Sequence, residues 1–265
     1  MKFSAIFEIV DTMRVALMLG IPSVFRAAWA SPSLLFNPAA LSRISMASIW
    51  ISFSQGDAHA QGDKEKLITP YATGVVLDLG AGHGHTVNYL DRTKVTKYIA
   101  VEPNTLMYSY IREKAQTSGY SEDSGSLILL SCGAEDTVSI MSSAQAKVDT
   151  IVSVLTFCTV PAPQETLRSL VQDVLAPGGQ LIIYEHVLSR RADVAWWQSF
   201  WTPVWSKVLD GCCLNRPTDV WLKEMLDDSG KSLWAEAEIW NPSDFEGNDS
   251  EDDWFRRQLG RFVKK

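Results

Sequence analysis

Apolar and polar positions divide the chain into three zones. Residues 1–70 are rich in Ala, Ser and Trp and carry apolar side chains at helical spacing. Phe3, Ile6, Phe7, Val10, Met13 and Leu17 recur every three or four positions, which predicts an amphipathic helix packed on its own domain. Residues 71–191 alternate short β-branched runs with helical patterns. Gly74–Leu79, Lys97–Val101, Ser126–Leu130, Val148–Val154 and Gln180–Tyr184 read as buried strands. Thr105–Thr117 reads as a helix with Asn104 as its N-cap. Pro163 suits the first position of another helix, with Leu167, Leu170, Val171, Val174 and Leu175 on one face and Pro177-Gly178-Gly179 as its stop. Residues 192–265 are tryptophan-rich and then acidic. Leu233–Trp240 and Gly260–Val263 look like two more strands, with Ser243–Asp253 a solvated loop between them. Strands alternating with helices predict a parallel α/β sheet with right-handed crossovers.

Size and charge narrow this picture. A chain of 265 residues fits one α/β domain with decorations. Its net charge of -7 and lack of any Lys/Arg-rich run argue against a nucleic-acid partner. The uncharged stretch Val15–Phe25 contains Gly20 and Pro22 and is too short to span a bilayer. Glu8 and Asp11 ahead of it argue against a signal peptide. Peripheral membrane contact is the sharper alternative for the first helix, although its polar face lacks the Lys/Arg richness of an interfacial helix. The cysteines, Cys132, Cys158, Cys212 and Cys213, form no C-x-x-C pair and no sequence cluster with histidine. Reduced thiols in a cytoplasmic protein are expected, with Cys212 and Cys213 acting as small buried apolar residues. The expected assembly is a monomer or weak dimer.

The candidate chemistry begins after the first strand. Asp78-Leu-Gly80-Ala81-Gly82-His83-Gly84 turns from a strand into a helix, and glycines there let the backbone turn sharply and approach a ligand. The spacing is G-x-G-x-G; a dinucleotide fingerprint would place its third glycine where His85 stands. The second strand ends in Glu102, a carboxylate able to accept both hydroxyls of a ribose.

VLDLGAGHG, the VEPN around Glu102, GAED at Gly133–Asp136 and LAPGGQLIIYEH at Leu175–His186 resemble, in order, the motifs of class I S-adenosylmethionine-dependent methyltransferases. That resemblance implies a Rossmann-like seven-stranded mixed sheet with the last strand antiparallel and helices on both faces, to which the helical pattern of residues 1–70 adds an N-terminal cap. It implies S-adenosylmethionine as cofactor and S-adenosylhomocysteine as product. Gly80, Ala81, Gly82, Gly84 and His85 would surround its methionine part, and Asp78 would orient that region. Glu102, with Pro103 and Asn104, would bind the ribose. Gly133, Ala134 and Glu135 would lie beside the adenine, and Leu155 and Thr156 where cofactor meets substrate.

Further on, Tyr184-Glu185-His186-Val, Trp197-Gln198, Pro203, Trp205, Asp210-Gly-Cys212, Leu214 and Arg216 resemble the methyltransferase-like protein seven family, small-molecule thiol methyltransferases of animals with bacterial and fungal relatives. The Leu67–Thr86 stretch resembles small fungal methyltransferases acting on phenols. The chain is thus expected to divide into a helical cap or lid over residues 1–70, outside the reach of these resemblances, and a cofactor-binding domain over 71–265 with a substrate cap at 192–230.

The leading expectation is metal-independent O-methylation of a small phenolic molecule. S-methylation of a small thiol is the alternative, and a non-catalytic cofactor-binding or membrane-associated protein the second. A phenol, with a pKa of about 10, is helped by a general base; a thiol, at about 8.5, needs less help. His186, just past the fifth strand, is the candidate base, or else fixes the strand-to-helix turn. Glu185 would line the pocket. Asp210 would act near the nucleophile or cap its loop. His59 would close from a lid, and His83 would touch the cofactor or face solvent. Trp197, Trp201, Trp205 and Val208 form either a core stripe or an aromatic lid over a flat substrate.

Overall fold

The computed structural model describes residues 3–54, 58–227, 229–241 and 254–265; the side chains of residues 3–7, 58 and 59 are outside the description. Three helices come first: α1 (Phe3–Ala30), α2 (Pro38–Phe53) and α3 (Ala58–Ile68). The sheet contains β1 (Gly74–Leu79), β2 (Val95–Val101), β3 (Leu127–Leu130), β4 (Val148–Val154), β5 (Leu175–His186), β6 (Trp234–Trp240) and β7 (Arg257–Lys264). Between the strands run α4 (Tyr108–Thr117), α5 (Thr137–Ala144), α6 (Pro163–Ser169), α7 (Ala192–Val208) and α8 (Thr218–Lys223).

The strand order is β3-β2-β1-β4-β5-β7-β6. Neighbours from β3 to β5 pair in parallel, whereas β7 runs antiparallel to both β5 and β6. This is the expected mixed sheet with its last strand reversed.

Alternation along each strand feeds two cores. Leu77, Leu79, Ile99 and Val101 face α5 and α6 through Ile140 and Leu167, and the turn after α6 through Val171. Val76, Tyr98, Ala100 and Val152 face α3 and α4 through Leu67, Ile68, Ile111 and Ala115. The helix predicted to stop at Pro177-Gly178-Gly179 ends sooner: a π-helical turn, Leu170–Val174, runs directly into β5. Pro177 stands within the strand, where the expected strand began at Gln180.

The third core joins the N-terminal helices to α7. Ile9, Ala16, Ile49, Trp205, Leu209, Leu214 and Trp254 gather there, with Cys158 and Cys212. α1 continues through Gly20 and Pro22. At Gly20 a Cβ would collide with the Ser45 hydroxyl of α2, so glycine sets the close approach of the two helices. The buried stripe of α1 differs from the expected one. Ile9 and Ala16 are buried and Met13 partly so, while Val10 and Leu17 are exposed; Phe3, Ile6 and Phe7 lie outside the described side chains. Both faces of the helix are apolar, so sequence spacing alone did not fix which packs inward. Met18, Phe25 and Trp29 are exposed on α1, and an open apolar groove between α1 and α7 is lined by Val10, Leu17, Met18, Ile21 and Val204. Among the described residues no helix is long and apolar enough to cross a membrane. The Ser243–Asp253 segment lies outside the described residues.

Candidate active site at the carboxyl edge of the sheet

The carboxyl ends of β1, β2 and β4, with the segment after β3, bring the predicted cofactor residues to one edge. Gly80, Gly82 and Gly84 all have positive φ. A Cβ on Gly80 would stand 2.5 Å from Thr156 Oγ1, so Thr156 packs directly on the turn. Thr156 Oγ1 donates to the Leu79 carbonyl (2.7 Å), tying the end of β4 to that of β1. Leu155 beside it has a φ of 55°, a left-handed conformation that side chains disfavour and that recurs at functional turns.

Glu102 is buried, and its carboxylate is held from two sides. Gly82 N–H donates to Oε2 and Asn104 N–H to Oε1, each at 2.8 Å. Burial raises its pKa, while those two amides hold it down. Asp78 lies deeper. Tyr98 Oη donates to Oδ2 (2.7 Å) and Thr86 Oγ1 to Oδ1 (3.1 Å). Burial lifts the Asp78 carboxyl to about 7 against the two hydrogen bonds, and the nearby charge of Glu102 adds to the rise.

The helix α2 roofs this edge. Trp50 stands where a Cβ on Gly82 would project. Ser54 Oγ lies 3.0 Å from His85 Nε2, Asn104 Nδ2 donates to the Arg43 carbonyl (2.9 Å), and Ser42 Oγ donates to Asp210 Oδ1 (2.6 Å). Asp210 is thereby a tether to the cap. Burial, followed by the charge of Lys114, lowers the pKa of His85 to about 4. His83 has the same shift from the same causes and lies against Tyr110, ring centroids 4.2 Å apart. Ala134 is buried and Glu135 exposed, with the Glu135 carboxylate folded back against Gly133. Pro103 follows Glu102 in the same turn.

Of the residues predicted for catalysis, Glu185 is fully buried. Its Oε1 accepts from Ser153 Oγ (2.7 Å) and from the N–H groups of Thr156 (2.9 Å) and Phe157 (3.2 Å). It therefore fixes the turn after β4. Arg216 braces the same turn from outside, donating to the carbonyls of Phe157 and Val160. His186 Nε2 is 3.2 Å from the Cys213 carbonyl and 3.6 Å from Cys212 Sγ. Burial alone would lower its pKa, but Cys212 and Glu185 outweigh that and raise it to about 9. His59 falls in the first turn of α3, its side chain outside the description. Trp205 is buried, and Trp197, Trp201 and Val208 pack against the third core, so these residues form a core stripe. Gln198 is buried, accepting from Ser189 N–H (2.8 Å) and donating to the Trp254 carbonyl (2.9 Å).

Sequence reasoning missed the roles of Ser42, Arg43, Ser54 and Ser153, which no local pattern signals. It also expected no cysteine–histidine cluster. The structure corrects this: Cys158, His186 and Cys212 converge, because the ends of β4, β5 and α7 meet there.

Strand order with a reversed β7, a glycine turn after β1 and an acid ending β2 define the class I S-adenosylmethionine-dependent methyltransferase fold. The sequence model of a family described as "Methyltransferase domain" matches residues 58–235, and the chain belongs to that family. Rat thiol S-methyltransferase TMT1B is 27% identical over 172 residues, 64% of each protein. Human thiol S-methyltransferase TMT1B is 40% identical over 76 residues, 28% of this chain and 31% of that protein. The matches thus span less than two thirds of these relatives. Among solved structures, an O-methyltransferase family protein from Burkholderia thailandensis has a TM-score of 0.56 at 13% identity, covering 92% of this chain and 71% of that one. A methyltransferase from Bacillus halodurans C-125, described as putative, has 0.54 at 14%, covering 77% and 99%. These two likenesses concern the fold.

The residues fit the cofactor of this class. Two carboxylates, Asp78 and Glu102, are buried at the edge where a cationic sulfonium nucleoside would bind, and the charge of Glu102 adds to the cost of ionising Asp78. Each Glu102 oxygen has a lone pair beyond the amide it accepts from.

Proposed function

We propose that the chain transfers the methyl group of S-adenosylmethionine to the sulfur of a small-molecule thiol. The observation that carries the reading is the cradle at the sheet edge: the glycine turn with the Glu102 carboxylate fixed against Gly82 and Asn104. The names of the rat and human relatives support sulfur as the acceptor.

The cofactor supplies an already activated methyl group. What remains for the protein is alignment and exclusion of water. Glu102 would hold the ribose, Asp78 would favour the cationic end, and Ala134 and Glu135 would border the adenine. Leu155 and Thr156, held by Glu185, would border the transferred methyl group. α2 covers the edge and shields it from solvent.

Phenol O-methylation ranks second. A phenol gains most from a base, whereas Nε2 of His186 is engaged with Cys213 and Cys212 inside the fold. The exposed apolar side chains of α1 are compatible with peripheral membrane contact in either case.

The test is transfer of labelled methyl to matched panels of alkyl thiols, aryl thiols and phenols. Thioether products at neutral pH are expected. Turnover confined to phenols would overturn the sulfur reading. Cofactor uptake with no transfer to any acceptor would favour a non-catalytic protein.

A further inference from the structure

The cluster of Cys158, His186 and Cys212 is not used by the cradle. It stands beside it: Cys158 follows Thr156 by two positions, and its thiol lies 3.5 Å from the Leu155 carbonyl. One ligand atom from each residue lies within 4.8 Å of the other two, and all three residues are buried. With Zn–S near 2.3 Å and Zn–N near 2.0 Å, tetrahedral coordination places sulfur and nitrogen about 3.5 Å apart and two sulfurs about 3.8 Å apart. The observed Cys212 Sγ to His186 Nε2 distance is 3.6 Å.

The positions are set by rigid elements, as a metal site requires. His186 ends β5 in register with Arg257 of β7. Cys213 N–H donates to the Cys158 carbonyl (2.9 Å), locking the two cysteine-bearing segments together. Glu185 and Arg216 clamp the turn that carries Cys158. Charge favours the same reading. Two thiolates and a neutral imidazole around a divalent cation sum to zero, so the filled site leaves no net charge in the buried core. Two sulfurs and an imidazole suit zinc, whereas Mg²⁺ or Ca²⁺ would want oxygen ligands.

We propose that Cys158, His186 and Cys212 form a zinc(II) site that fastens the segment after α7 to the carboxyl edge of the sheet. Binding releases to solvent the protons held by the two cysteines and by Nε2 of His186 as two Zn–S bonds and one Zn–N bond form, the Nε2 contact with the Cys213 carbonyl giving way to the metal. Three protein ligands leave the fourth position to water or another donor. The site is independent of acceptor identity, because metal content is read without turnover.

The experiment uses the full chain purified without chelator under reducing conditions, with metal measured by inductively coupled plasma mass spectrometry. One zinc per chain is expected, falling to background in Cys158→Ser and Cys212→Ser and retained in Cys132→Ser. Cobalt(II) in place of zinc should give a near-ultraviolet thiolate-to-metal band that Cys212→Ser loses. Calorimetry with S-adenosylhomocysteine checks that the variants fold. Should a serine variant not fold, zinc release from the unaltered chain on titration with an organomercurial should accompany modification of the buried Cys158 and Cys212, located by peptide mass spectrometry, and not that of the more accessible Cys132 and Cys213. Wild-type protein that takes up no zinc and gives no cobalt band overturns the proposal. So does a Cys158–Cys212 disulfide, or a different metal held in zinc's place.

Discussion

Replacing Glu102 by glutamine perturbs the cradle at its most constrained atoms while keeping the side chain's shape. The carboxylate accepts from two backbone N–H groups at 2.8 Å, one on each oxygen. Glutamine offers one carbonyl oxygen, so its amide must face either Gly82 N–H or Asn104 N–H, donor against donor. One charge-assisted hydrogen bond is lost and one buried N–H left without a partner, at a cost of about 1.5–3 kcal/mol. For a chain of this size that corresponds to a melting-temperature fall of roughly 3–10 °C. The nucleoside loses an acceptor for its ribose, worth about 1.5–3 kcal/mol, so its dissociation constant should rise roughly 10- to 100-fold. Differential scanning calorimetry and titration with S-adenosylhomocysteine read the two effects separately. Glu122→Gln is the control; its ion pair with Arg112 is about half exposed on both sides and should contribute little. Affinity within threefold of wild type, in a variant as stable as wild type, would refute the assignment of Glu102 to the cofactor.

Asp78 is expected to make cofactor binding pH-dependent. Its carboxyl titrates near 7 in the fold against 3.8 unperturbed, so the fold favours the neutral form. Its contribution to stability is therefore fully present below about 4, is lost as pH rises to about 7, and is constant above. A cationic cofactor favours the ionised form. Affinity for S-adenosylmethionine should weaken up to about tenfold per pH unit below 7 and level off above it. Calorimetry in buffers of different ionisation enthalpy should show proton release near pH 6 that Asp78→Asn removes; binding independent of pH in wild type would contradict this. Gly80→Ala combines a left-handed backbone with a Cβ 2.5 Å from Thr156 Oγ1. The expected loss is about 1–2 kcal/mol from the backbone and 1–3 from overpacking, seen as a lowered midpoint in urea; an unchanged midpoint would disprove the constraint.

The sheet and the cradle were legible in sequence because their signals are local. Strands buried on both faces read as β-branched runs, and a glycine turn must follow its strand directly, so Gly80 to Gly84 and Glu102 declare themselves by position. The cap did not read so easily. α1 is apolar on both sides, and only the third core shows that Ile9 and Ala16 face inward rather than Val10 and Leu17. Glu185 looked like a pocket carboxylate, yet its neighbours are Ser153, Thr156 and Phe157, which belong to another strand and its turn. The convergence of Cys158, His186 and Cys212 depends on which strands are neighbours in the sheet. Spacing along the chain carries no trace of it.

The contacts of α2 come from one helix but reach separate parts of the molecule: Ser42 to the segment after α7, Arg43 to the turn after β2, Trp50 to the glycine turn, and Ser54 to the residue after it. A rigid rod anchored at several points comes away all at once or hardly at all. A nucleoside seated under α2 would therefore be released only when the whole helix lifts, and not by the movement of a single side chain.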